Sequence, residues 1–308
     1  MDYKIPNIPL PTASVPELVD YMEVCCLKDG YAYSTTQVLS DMGILSEPSE
    51  EYELIENEGI ADSMMNEVES RINHTAHHYP FEQNDSSISK PTAQSYVSSI
   101  YEFLLLVTRK SLSGSGRIVD DIDGTALFER LCALVVGNYF GNIKNAFVFG
   151  TGSLETHTFE EKMNDFLQRI QEPGHRFVSP KHALGQEKDG KVDVVVCIPF
   201  ADKMEGRFIA LGQCKAGTSW REQISSLSIK TFVDYIQPPL RFTPVALFLV
   251  AESFYDNWEN LQSASGGVLF DRERIMQYLP AEEAIIAADA RLLDEIRIWN
   301  AGVLREIP

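Results

Sequence analysis

The chain has 308 residues, 44% apolar and 23% charged, the composition of a globular protein with room for a sizeable core. No run of about 18 apolar residues occurs, so no helical membrane span and no membrane partner are expected. A net charge of −19 argues against broad, unaided nucleic-acid binding, which depends on Lys and Arg neutralising phosphates.

The start, MDYKIPNIPLPTAS, lacks the basic-then-apolar order of a secretory signal. Cys25, Cys26, Cys132, Cys197 and Cys214 are odd in number and several sit in apolar runs, which predicts reduced thiols and a cytoplasmic location. No Cys-x-x-Cys pair signals a thiolate zinc site.

After a Pro-rich start, Glu17–Leu27 reads as a short helix. Tyr31–Leu45 reads as a helix-turn unit capped by Ser34 or Thr35. Glu47–Glu58 is strongly acidic, a solvated helix face or a docking surface. Ile60–Ile72 is a helix with Met64, Met65 and Val68 on one stripe. His74, His77 and His78 then cluster, but no nearby Cys completes a metal set, and a polar helix end is the simpler reading. Pro91–Lys110 reads as a long helix. Ser111–Gly116 (SLSGSG) is the best linker in the chain, so a boundary is placed there: a helical acidic domain over 1–115 and a second domain over 116–308.

Gly124–Phe140 is a buried helix whose apolar face includes Leu127, Leu131, Leu134 and Val135, with Glu129 close to that face. Asp120, Asp121 and Asp123 before it lack the other ligands of a calcium loop and serve better as a cap. Ala146–Phe149 is a short strand ending in Gly150-Thr151-Gly152-Ser153, a turn that lacks a complete phosphate-binding motif. A helix over Thr158–Ile170 and a polar connection carrying His175, Arg176, Lys181 and His182 follow.

Lys191–Gly217 carries the chemistry. Val192–Phe200 and Phe208–Leu211 read as a strand hairpin, with Asp193 at its start and Gln213-Cys214-Lys215 at its end. Alternation puts Gln213 and Lys215 on one face. Net charge is unevenly spread: residues 1–115 hold 6 basic and 18 acidic side chains, whereas 162–221 hold 10 basic against 7 acidic. The only locally basic part of the chain surrounds this hairpin. Pro244–Ala251 is a continuous apolar run, as in a central strand covered on both faces. Ile275–Leu279 and Glu282–Arg297 read as closing helices.

The order helix with Glu129, strand, helix, strand with Asp193, strand with Gln213-x-Lys215, helix, strand resembles the PD-(D/E)xK, or restriction-endonuclease-like, nuclease superfamily in its Q-x-K variant. The resemblance covers about 124–251. It implies an α/β (α+β) fold, a mixed sheet flanked by helices, and a site that hydrolyses phosphodiester bonds with Mg²⁺ or Mn²⁺. By the same resemblance Glu129, Asp193, Gln213 and the Cys214 carbonyl hold the metal, and Lys215 activates water and offsets developing charge. The expected protein is a metal-dependent DNA endonuclease, an effector of prokaryotic antiviral defence or restriction. Its acidic N-terminal domain would meet a protein partner or a second copy. Two alternatives stay open: an RNA-cleaving nuclease, and a non-catalytic interaction protein that keeps the fold.

Overall fold

The computed structural model describes residues 3–44, 51–90, 93, 95–150, 158–171, 174–179, 190–202 and 204–307, with the backbone alone at 51–56. Residues 47–50 of the acidic stretch, Thr151–Ser153 of the Gly-rich turn, Lys181 and His182 lie outside them.

The chain is mixed α/β. Before Ser111 it forms α1 (Val15–Asp29), α2 (Thr35–Asp41), α3 (Glu51–His74) and α4 (Tyr96–Arg109), with a small three-stranded sheet between them. Local chemistry sets these ends. Ser14 and Glu17 form a capping box before α1, and Gly30 stops it in a left-handed conformation at φ 72°. Ser34 caps α2, accepting from the Gln37 N–H at 3.2 Å. From Glu51 on, the acidic stretch and the Met-striped segment fuse into one helix, α3, which runs on through Gly59. Positive φ at Ala76 and His77 ends the turn after α3, so the three histidines do not share a helical face. His78 Nδ1 donates to the Met276 carbonyl at 2.8 Å instead. Helix α4 starts later than the sequence predicts, at Tyr96, because Ser95 caps it through the Ser98 N–H.

Beyond Gly116 follow α5 (Gly124–Tyr139), β1 (Ala146–Val148), α6 (Phe159–Ile170), β2 (Val194–Ile198), β3 (Phe208–Lys215), α7 (Ile229–Val233) and β4 (Val245–Val250). The chain closes with α8 (Trp258–Ala264), β5 (Val268–Phe270), α9 (Arg272–Gln277), α10 (Glu282–Ala288) and α11 (Leu292–Glu306). The five strands form one sheet in the order β5-β4-β3-β2-β1. β1, β2 and β3 pair antiparallel, and β3, β4 and β5 pair parallel. The hairpin expected around Asp193 is therefore present, with Val194 opposite Gly212. The single closing helix expected over 282–297 is broken into α10 and α11, where Asp289 leaves the helix to pair with Arg130 at 2.7 Å.

One sheet face packs on α5 and the other on α6 and α7. Val194, Val196, Ala210 and Leu249 join Leu131 and Val135 on the first, while Val195, Leu211, Phe166 and Phe232 meet on the second. The first cluster runs on into residues before Ser111, including Leu18 and Phe103, whose ring meets Trp299 edge-on with centroids 5.3 Å apart. Helices α1 and α4 and helices α5, α9 and α11 thus share buried surface across the Ser111–Gly116 stretch. Gly212 allows the middle of β3 to pack this closely. A Cβ there would lie 2.6 Å from Val194 Cγ2 and 3.2 Å from Leu249 Cδ1. Gly212→Ala is expected to destabilise the protein by about 1–3 kcal/mol, seen as a lower urea midpoint. Among the described residues, no helix is long and apolar enough to cross a membrane.

Candidate active site

The pairings bring the end of β1, the start of β2 and the ends of β3 and β4 to one edge of the sheet. Left-handed turns at Gly190 and Lys191, both at φ 64°, deliver the chain to Asp193. Its backbone is fully tied: its N–H donates to the Gly212 carbonyl at 2.8 Å, and its carbonyl accepts from Phe149 and Gly150 at 2.7 and 2.9 Å. One carboxylate oxygen, Oδ2, accepts the Cys214 N–H at 2.8 Å, taking the place of a ladder partner.

The other oxygen, Oδ1, borders Gly150 together with an oxygen of Glu129. That residue lies on α5, only 7% exposed, on a helix whose start is fixed by Asp123 accepting from the Thr125 N–H at 2.9 Å. A methyl group placed on Gly150 would lie 2.7 Å from Glu129 Oε2 and 3.0 Å from Asp193 Oδ1. Both oxygens therefore border one point and are no more than about 6 Å apart, the sum of the two distances. Sequence spacing gives no sign of Gly150's part; only the lack of a side chain lets two acids approach there.

Two thiols lie beside these carboxylates. Cys132 lies one helical turn after Glu129, and its thiol meets that of Cys214. Burial pushes both thiols up, and the Glu129 and Asp193 charges push further in the same direction, so both stay protonated near neutral pH. Cys132 could have been read from its spacing to Glu129, though not its meeting with Cys214.

Gln213 and Lys215 lie on the opposite face of β3 from the Cys214 thiol. Gln213, 1% exposed, accepts the Ser226 hydroxyl at 2.9 Å through Oε1, and its Nε2 has no hydrogen-bond partner among the described residues. Lys215 is half-buried, and among the described residues its ammonium makes no hydrogen bond or ion pair. Its backbone carbonyl is held by the Ala251 N–H at 3.4 Å. The structure thus joins Glu129, Asp193 and the Cys214 backbone, and leaves Gln213 beside Ser226.

Glu252, just past β4, is a further acid at this edge. It accepts from Trp220 Nε1 at 2.6 Å and Arg221 at 2.7 Å, pinning the turn that follows Lys215. Nothing near Glu252 in sequence marks it, because its partners lie about thirty residues back.

Among the described residues, no three His, Cys, Asp or Glu side chains are placed to hold a metal by themselves. Two carboxylates still fit a small hard cation, since Mg²⁺ commonly takes one or two and fills its remaining positions with water. The Cys214 carbonyl lies on the same strand edge as its N–H, towards Asp193. Comparison with protein-family models, curated proteins and solved structures finds no match to this chain.

Proposed function

We propose that this protein is a metal-dependent endonuclease acting on DNA, with a restriction-endonuclease-like core over 116–308. The observation that carries the reading is the approach of Glu129 and Asp193, 64 positions apart in sequence, to one point beside Gly150. Glu129, Asp193 and the Cys214 carbonyl would hold Mg²⁺ or Mn²⁺. When bound, the ion supplies positive charge at a phosphate and lowers the pKa of a water. The protein's own part is to hold the two carboxylates apart in a shielded corner, ready without reorganisation. Lys215 donates to a non-bridging phosphate oxygen and offsets the charge that builds on it. Gln213, tied to Ser226, fixes the end of β3 and so the position of Lys215. A setting in prokaryotic restriction or antiviral defence follows by analogy with proteins of this kind, as does a partner or second copy on the acidic N-terminal helices.

The test is cleavage of plasmid DNA and of RNA by the purified protein with Mg²⁺ or Mn²⁺. Asp193→Asn and Lys215→Ala are each expected to lower DNA cleavage by about a hundredfold or more, with an unchanged circular dichroism spectrum. Cleavage of RNA alone would move the assignment to a ribonuclease. The turn of Gln213 towards Ser226 favours one rival, a non-catalytic interaction protein. Absence of cleavage of either substrate, with Mn²⁺ included, decides for that rival.

A further inference from the structure

A cavity of about 450 Å³ opens between α3, the loop after β4, α8 and α9, a size that suits a small organic ligand. None of the proposed catalytic residues lines it. Three carboxylates do, each more than nine-tenths buried: Glu67 at 5% exposure, Asp271 at 7% and Glu273 at 8%. Each commits one oxygen to the protein. Glu67 Oε1 accepts from Arg71 at 2.8 Å, Asp271 Oδ1 from the Arg274 N–H at 2.9 Å, and Glu273 Oε1 from the Ser253 hydroxyl. Among the described residues no other residue donates to the second oxygen of any of the three, and Asp271 also accepts from its own backbone N–H.

The cationic side chains in the wall are already committed. Arg71 is bound by Asp20, Glu23 and Glu67 together. Arg274 donates to the Leu269 carbonyl at 2.8 Å and lies over the Trp258 ring at 4.2 Å. Arg71 is thus shared among three acids, and the cavity sets Glu67, Asp271 and Glu273 against Arg71 and Arg274, an acid-rich balance that favours a cationic occupant.

The spacing selects among cations. No three acidic, His or Cys side chains among the described residues are close enough to share one metal ion. Separate positive groups on a flexible chain would reach separate carboxylates. Phe254 and Trp258 give the cavity an aromatic wall, which packs against methylenes and attracts ammonium groups. We propose that this cavity binds an aliphatic polyamine, with its ammonium groups on Glu67, Asp271 and Glu273 and its methylene chain along Phe254 and Trp258.

Binding should also move a proton. Burial first, and then the Glu273 charge, push the Asp271 carboxyl up to about 8, against a smaller pull from Arg274. The charged and titratable groups around it are Glu273 and Arg274 on α9, Glu67, Arg71 and His74 on α3, and Tyr255 in the loop after β4. An arriving ammonium favours the ionised form of Asp271 and so releases its proton near neutral pH.

Isothermal titration calorimetry of the full chain with spermidine, at pH 7.5 in two buffers of different ionisation enthalpy, tests this. The expected result is one saturable site and a binding heat that differs between buffers. Asp271→Asn and Glu273→Gln should each weaken the affinity by at least about tenfold, and Asp271→Asn should remove the buffer difference. Asn keeps a cap for α9, Gln keeps an acceptor for Ser253, and circular dichroism confirms that each variant is folded. Affinity unchanged in both variants would assign the binding to diffuse attraction by an acidic protein and overturn the proposal. Displacement of spermidine by an equal concentration of Mg²⁺ or Ca²⁺ would overturn it in favour of a metal site, and the absence of a saturable site would also overturn it.

Discussion

Asp20→Asn is expected to lower the unfolding free energy by at least about 3–5 kcal/mol, the cost of leaving buried charge without its partner. Asp20 is fully buried on α1 and accepts from three guanidinium groups at once: Arg71 at 2.7 Å, Arg109 at 2.6 Å and Arg272 at 2.8 Å. These come from α3, α4 and α9, so one carboxylate ties together helices from both sides of the Ser111–Gly116 stretch. Burial alone would raise its pKa, but Arg272, Arg109 and Arg71 outweigh burial and hold the carboxyl well below the usual carboxylate range. A depressed pKa stabilises the fold above the unfolded value of 3.8, and that stability is lost only as pH falls through the folded value. The wild type therefore keeps this contribution down to strongly acid conditions, whereas Asp20→Asn lacks it at neutral pH as well. Urea unfolding at pH 7 measures the difference, and equal midpoints would refute the role given to Asp20. The same network reaches the candidate site, since Arg109 also approaches Glu252 at 3.5 Å and Glu252 holds Trp220 and Arg221.

Gly150→Ala is expected to separate activity from stability. The backbone of Gly150 is not left-handed, so its conformation admits alanine. The new methyl would lie 2.7 Å from Glu129 Oε2, the movable end of a side chain, and 3.1 Å from Asp193 Cα, which must give by a few tenths of an ångström. Stability should fall by no more than about 1 kcal/mol, because a carboxylate can swing away more easily than a strand can move. Metal-dependent cleavage should fall by about 10–100-fold, since the two carboxylates no longer border one point, and extra Mn²⁺ should restore part of it. Thermal unfolding and a Mn²⁺ titration of cleavage read both effects. Undiminished cleavage would remove the Glu129–Asp193 pair from the mechanism.

Much of the fold could be read locally. The apolar runs around Asp193 and Lys215 formed the expected hairpin, Val245–Val250 became an inner strand, and Asp123 and Ser34 acted as caps. These features depend on alternation, helical spacing and short polar side chains, all of which act within a few residues. The breaks in the prediction came from distant partners. Asp289 splits the last helix because Arg130, 159 positions away, binds it. Helix α3 runs from the acidic segment into the Met-striped one, since charge does not break a helix and the single Gly59 at the junction weakens it without ending it.

The candidate site divides the same way. By itself the sequence determined that an acid would begin β2, that an amide and a lysine would share a face at the end of β3, and that Glu129 would ride on a buried helix. Only the tertiary structure decided that Glu129 and Asp193 border one point, because that needs α5 against the sheet and a glycine where a side chain would crowd both. It also decided that Gln213 faces Ser226. Period-2 alternation groups neighbours on a strand but leaves open which groups from other elements reach them.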